Sequence, residues 1–158
     1  MALSAYPDQL AQFMNEHIAL EYEVSQTYNI LASILDHPGV AYPGYAKFFR
    51  AEALEEIKHA QDITAYHHKR GAVVNFTHQH QTIQAQDPIA ALEYALDLEK
   101  RVLESFLRMN AIADMQTQTF LQNYMEIQTN SIAEYQAMLT KAQRVGHDGL
   151  ELLDSKFL

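Results

Sequence analysis

The sequence predicts an all-α fold: a four-helix bundle with one long crossover between helices two and three, and a short fifth helix at the C-terminus. Three observations carry that reading. Helix breakers are scarce, with five Gly and four Pro among 158 residues, while Ala, Leu, Gln and Glu are frequent. Apolar residues recur at alternating steps of four and three in four separate segments. The links between those segments run short, long, short. Residues 1–158 read as one domain, because the chain is 48% hydrophobic and long enough for a single core.

Ser4 and Pro7 open the first helix, and Asp36-His37-Pro38-Gly39 closes it, since Pro suits a first turn and cannot extend a helix beyond its end. The second begins after Pro43-Gly44 and stops at Gly71, a C′ residue following Lys69 and Arg70. Asp87-Pro88 supplies the N-cap and first helical residue of the third. A weaker break from Asp114 to Thr117 separates it from the fourth, which runs to Gly146, and Asp148 to Ser155 forms the short fifth helix. Each short link makes an antiparallel hairpin. Ala72 to Asp87 is longer and starts with Ala72-Val73-Val74-Asn75-Phe76, a run that favours extended chain.

The formal net charge is −9, from 11 Lys+Arg against 20 Asp+Glu. Nucleic-acid binding is excluded as a leading function, because phosphate contacts need clustered basic residues. Attraction of cations suits this balance. No apolar run is long enough to cross a bilayer, so no membrane partner is expected. The chain has no Cys, which excludes disulfides, zinc thiolates and a cysteine nucleophile. With no signal-peptide pattern at the N-terminus, a cytoplasmic protein is the expectation.

The inward faces show where chemistry could lie. The first reads Leu10, Met14, His17, Glu21, Val24, Tyr28, Leu31, Leu35, and the second Tyr45, Phe49, Glu52, Glu56, His59, Ile63, Tyr66. The third reads Leu92, Leu96, Glu99, Leu103, Phe106, and the fourth Leu121, Met125, Gln128, Ile132, Tyr135, Leu139. All four are apolar at their ends and polar near their middles. Midpoints of bundled helices meet, so Glu21, Glu56, His59, Glu99 and Gln128 converge on one level. No Lys or Arg occupies that level. Carboxylates in an apolar interior are costly unless paired or metal-bound, and oxygen ligands with one or two imidazoles suit iron or manganese. Singly, a buried Glu, one Glu-x-x-His or a core Tyr signifies little; the coincidence across four helices carries the inference. The remaining histidines read as incidental. His17 supports or packs, His67-His68 places positive charge at a helix C-terminus, and His78 and His80 are solvated in the crossover.

With these residues in place, the chain resembles the ferritins, in their bacterial non-haem form, over nearly its whole length. Asn15-Glu16-His17-Ile18-Ala19-Leu20-Glu21-Tyr22 is similar to the family's first-helix ligand segment. Tyr45-Ala46-Lys47-Phe48-Phe49 followed by Glu55-Glu56-Ile57-Lys58-His59-Ala60 resembles the second. Ala91 to Lys100, around Glu99, resembles the third, and Phe120-Leu121-Gln122-Asn123-Tyr124 with Gln128 the fourth. Gly149 to Asp154 resembles the terminal helix.

The resemblance implies an iron-storage protein with ferroxidase activity. Fe(II) would be oxidised by oxygen or peroxide at a centre of two irons per subunit, and ferric mineral stored in a homo-oligomeric cage of 24 subunits. Glu21 and His59 would bind the first iron, Glu56 would bridge, Glu99 would bind the second and Gln128 would hydrogen-bond nearby. Tyr28, Glu56 and His59 would act in the oxidation, with Tyr28 a hydrogen-bond and possible electron donor. Departures from the pattern matter. Gln128 is followed three residues later by Ser131, not by the His of a second Glu-x-x-His, and Ile57 stands where bacterioferritins carry a haem-binding Met, so no haem is expected. Glu55 is kept from a third iron site, but Ile127, Asn130 and Ser131 replace its other ligands, leaving it incomplete. Lys58 replaces a cavity-facing Glu of animal ferritins. The alternatives are a storage shell with weak catalysis, a small di-iron or di-manganese redox enzyme on the same bundle, and a purely structural bundle.

Overall fold

The computed structural model describes residues 6–75 and 82–158, and within them the regular structure is helical. Helix α1 spans Asp8–Asp36, α2 Pro43–Lys69, α3 Pro88–Ile112 and α4 Met115–Ser155. The predicted stops hold. Gly71 follows α2 with φ 82°, the left-handed conformation a Gly takes without strain. Asp87 caps α3 through its side chain, which accepts from the Ala90 amide at 2.8 Å, and Asp114 caps α4 by accepting from the Thr117 amide at 2.9 Å. Ser4, Phe76, His78 and His80 lie outside the described residues.

Two sequence expectations compare less simply with the structure. The short fifth helix is not separated as an element of its own, but the helical run breaks at Gly146, the expected end of the fourth helix, where φ is 67° and ψ −172°, before continuing to Ser155. His67 does not act as an exposed charge at the α2 terminus. It is fully buried, takes the Tyr6 hydroxyl on Nδ1, and burial holds its pKa below the usual value. A neutral ring bonded inside the core contributes no charge to the helix end.

Helix α1 packs on α2 and on α3, α3 on α4, and α4 closes the ring against α2. Tyr6 before α1, Arg70 after α2, and Asp114 and Thr117 at the start of α4 meet at one end. At the other end Asp87 and Asp154 act on Tyr42, which precedes α2. The chain between α2 and α3 therefore links opposite ends of the bundle, the crossover the connection lengths predict. Its first residues are tied down: Asn15 donates from Nδ2 to the Val73 carbonyl at 3.3 Å and accepts from the Asn75 amide at 2.7 Å.

The core follows the four seams. Leu10, Met14, Val24, Tyr28, Leu31 and Leu35 of α1 are fully buried, each large apolar side chain contributing about 1.5–3 kcal/mol. Phe49 and Ile63 of α2, Leu92 and Phe106 of α3, and Leu121 and Tyr135 of α4 complete it. Leu103 is only half-buried, and Val102 takes its place in the core.

Candidate metal centre

At mid-height the core turns acidic. Glu21, Glu56 and Glu99 are buried between the apolar stretches that fill the two ends of the core. Glu21, Glu56 and His59 each offer one ligand atom, all within 4.8 Å of one another, and they form the one such group among the described residues. Glu56 and His59 sit one turn apart on α2, so the Glu-x-x-His spacing aims both at the same point, and Glu21 faces them from α1. His59 Nδ1 lies 3.4 Å from Glu56 Oε2, an ion-pair separation rather than a short hydrogen bond. Glu21 Oε2 and Glu56 Oε2 are buried with no hydrogen-bond partner.

Glu99 is held differently. The Tyr28 hydroxyl donates to its Oε1. Gln128 donates from Nε2 to its Oε2, and to its backbone carbonyl at 2.9 Å. Its side chain is thus clamped from α1 and α4 beside the group rather than within it. Gln128, predicted as a neighbour of the centre, is buried and does just this. Glu55 is not brought in. It is exposed, and Lys58 donates to it at 3.3 Å. Ile127 and Asn130 are exposed on α4.

The electrostatics follow from burying several carboxyls without a cation. Burial pushes Glu56 up to about 8, reinforced by the Glu21 carboxyl beside it. Burial, then Glu56, pushes Glu99 up to about 8. Glu21 is raised as well, chiefly by burial. His59 rises to about 9 because the Glu56 carboxylate beside it favours its charged form. Protons therefore take the place of cations in the metal-free centre. A hard divalent ion would supply the missing charge to the two partnerless oxygens, so the donor set fits iron or manganese.

Three participants escaped sequence reasoning. Ser105 on α3 bonds His17 Nδ1 at 2.7 Å; a half-buried Ser carries no signal by itself. Glu52 was read as a seam position only, yet burial and Glu56 push it up to about 7. The Tyr135 hydroxyl donates to Glu52 at 3.5 Å. For Glu52 and Tyr135, a place on the seams next to the acidic layer was the available clue.

Fold and site together define a helical bundle whose inward carboxylates and imidazole can hold metal between helices. Residues 11–145 match the family described as Ferritin-like domain, and the chain belongs to the ferritin family. It is 31% identical over 157 residues to a chloroplastic ferritin of Malus baccata var. xiaojinensis, covering 92% of this chain and 63% of that protein. It is 30% identical over 161 residues to Ferritin-4, chloroplastic, of Arabidopsis thaliana, covering 93% and 62%. A chloroplastic ferritin of Phaseolus vulgaris is 31% identical over 170 residues, covering 97% and 67%. The chain thus spans less than two thirds of the length of the first two relatives. Their names place those proteins in chloroplasts, which overturns the expectation of a cytoplasmic protein. That expectation drew on the lack of Cys and of a signal-peptide pattern, and neither carries a cellular address.

Proposed function

We propose that this chain is a ferroxidase subunit that stores iron: it takes Fe(II) as substrate between Glu21, Glu56, His59 and Glu99 and passes the oxidised iron to a mineral held inside a shell of like subunits. The observation that supports this most is the pair of buried oxygens on Glu21 and Glu56, neither with a hydrogen-bond partner, beside His59, with no buried Lys or Arg at that level among the described residues. Membership of the ferritin family and the ferritin names of the relatives point the same way.

The residues divide the work. Glu21 and His59 hold one iron, Glu56 lies between the two positions, and Glu99 serves the second after turning from its clamp. Anionic oxygen ligands stabilise Fe(III) over Fe(II), which assists oxidation. Each iron yields one electron, and dioxygen or peroxide accepts the pair together with protons. The protons on Glu56, Glu99 and His59 leave as iron enters. Tyr28, which donates to Glu99 and packs on Tyr135 at 6.1 Å between ring centroids, can steady that carboxylate and supply an electron. No haem is assigned, since the alkyl side chain of Ile57 offers no thioether.

Stopped-flow oxidation of Fe(II) by the assembled protein tests this. The rapid phase is expected to saturate at about two Fe(II) per subunit, with no third tight site. Oxidation no faster than in buffer would overturn the proposal. Elution of the native protein as a monomer or dimer would leave the chemistry standing but remove the cage, favouring a small redox enzyme.

A further inference from the structure

Glu21 has two oxygens in different situations. Oε1 is 2.9 Å from His17 Nε2, one helical turn away on α1, whereas Oε2 has no hydrogen-bond partner. Both residues are completely buried. The other ring nitrogen of His17, Nδ1, is 2.7 Å from Ser105 Oγ on α3. The ring also packs on Phe106, with centroids 4.0 Å apart. The imidazole is thus fixed at both nitrogens and across its face.

An ionised carboxylate can only accept, so Nε2 carries a proton when Glu21 does not, and in the neutral ring Nδ1 accepts from the Ser105 hydroxyl. Glu21 therefore selects the tautomer with N–H on Nε2, and the Ser105 hydroxyl completes it by donating to Nδ1 and holding the ring in place. Without Ser105 the ring would lose its anchor on α3 and be free to turn away from the carboxylate. A ligating carboxylate with one oxygen held by such a donor keeps its other oxygen pointed at the metal.

We propose that His17 is a positioning residue for the metal centre, that it holds Glu21 Oε1 so that Oε2 faces the ion, and that Ser105 sets the imidazole in the orientation this requires. The inference rests on the metal-centre reading above. A buried histidine that only fills space predicts otherwise: an apolar substitute of similar size would leave metal affinity unchanged.

Titration of Co(II) into the metal-free assembled protein separates the two, since Co(II) binds without turnover and reports its ligand geometry through its visible spectrum. His17→Leu is expected to weaken Co(II) binding about 10- to 100-fold and alter that spectrum. His17→Gln, whose amide can donate to Glu21 and accept from Ser105, is expected to restore affinity to within a few-fold. Ser105→Ala, a change at a half-buried position, is expected to lose several-fold. Wild-type affinity in folded His17→Leu, or no recovery in folded His17→Gln, would overturn the proposal. If His17→Leu fails to fold, Ser105→Ala decides, and wild-type affinity there would overturn it. Failure of the unaltered protein to bind Co(II) would instead defeat the metal-centre reading itself.

Discussion

Two polar clusters of the bundle are built on opposite plans. At one end Arg70 donates to the Tyr66 hydroxyl at 3.0 Å, to Thr117 at 3.0 Å and to both oxygens of Asp114. Tyr66 and Thr117 are themselves 2.9 Å apart. One guanidinium faces one carboxylate; hydrogen bonding to Arg70 drops Asp114 well below the usual carboxylate range, and the same bond raises Arg70. At mid-height, Glu21, Glu56 and Glu99 face His59 and the neutral ring of His17, two of their oxygens lack a hydrogen-bond partner, and the carboxyls are pushed up. The first cluster is complete without help and ties three elements together. The second is complete only when a cation joins it. Charge balance, more than burial, separates a structural polar cluster from one built to take a ligand.

Breaking each cluster should therefore damage different properties. The largest effect is expected from Glu56→Ala, which removes a ligand oxygen: rapid Fe(II) oxidation should fall by about 100-fold or more. Metal-free stability should hold or rise, because like charges in the core are fewer. Stopped-flow absorbance and urea unfolding of the same sample check both, and wild-type oxidation rates would remove Glu56 from the centre. Arg70→Leu should do the reverse. It strands the partners of Arg70 and should lower stability by about 2–3 kcal/mol, a figure kept modest because Asp114 is partly exposed. Oxidation rates should be unchanged, and a variant as stable as wild type would show that the end cluster ties nothing.

Acidity sharpens the contrast. Between pH 6.5 and 8 the folded chain holds protons on Glu56, Glu99 and His59, whose folded values of about 8, 8 and 9 exceed their ordinary 4.5, 4.5 and 6.5. The unfolded chain has released them, so metal-free stability should fall as pH rises through this window. Below 6.5 His17, held down to about 3 by burial, works in the opposite sense. Asp114 contributes stability above its ordinary 3.8 that disappears only as pH falls towards its lower folded value, so it adds no slope here. Thermal melts from pH 6.5 to 8, with and without saturating Co(II), would show the slope in the first case and its flattening in the second. Equal slopes would mean that protons and metal do not compete for these groups. The smallest change is expected from Tyr28→Phe. It deletes one hydrogen bond to Glu99 and should slow oxidation about 2- to 10-fold; no change at all would make the hydroxyl a bystander.

The sequence made the helices legible because their stops are chemical: Asp87 and Asp114 cap, Gly71 turns left-handed, and Pro marks first turns. The acidic layer was legible because charge on an apolar stripe is a contradiction visible in one dimension. Partner selection was not. Nothing in the spacing says that Gln128 and Tyr28 clamp Glu99, since both bonds depend on rotamers set by neighbouring helices. Arg70 read only as a basic residue near a helix end, and its burial depends on Tyr6 and Asp114 arriving from distant parts of the chain. His67 was misjudged for the same reason: helix-end logic assumes solvent, and Tyr6 excludes it.

One contact bears on the order in which the chain folds. Tyr42, at the N-cap of α2, supplies no capping side chain. The first turn is capped instead by Asp154, whose Oδ1 accepts from the Tyr45 amide at 2.8 Å across a sequence separation of 109. Gly44 allows the approach, since a Cβ there would overlap the Asp154 carbonyl. Hairpins close through nearby residues, but this cap forms only when the segment beyond Gly146 folds back, so the start of α2 is sealed late. Asp154→Ala should accordingly speed unfolding while leaving the folding rate nearly unchanged. The last turn of the chain acts as a bolt: it leaves the assembly of the bundle to other contacts and governs how soon the bundle opens.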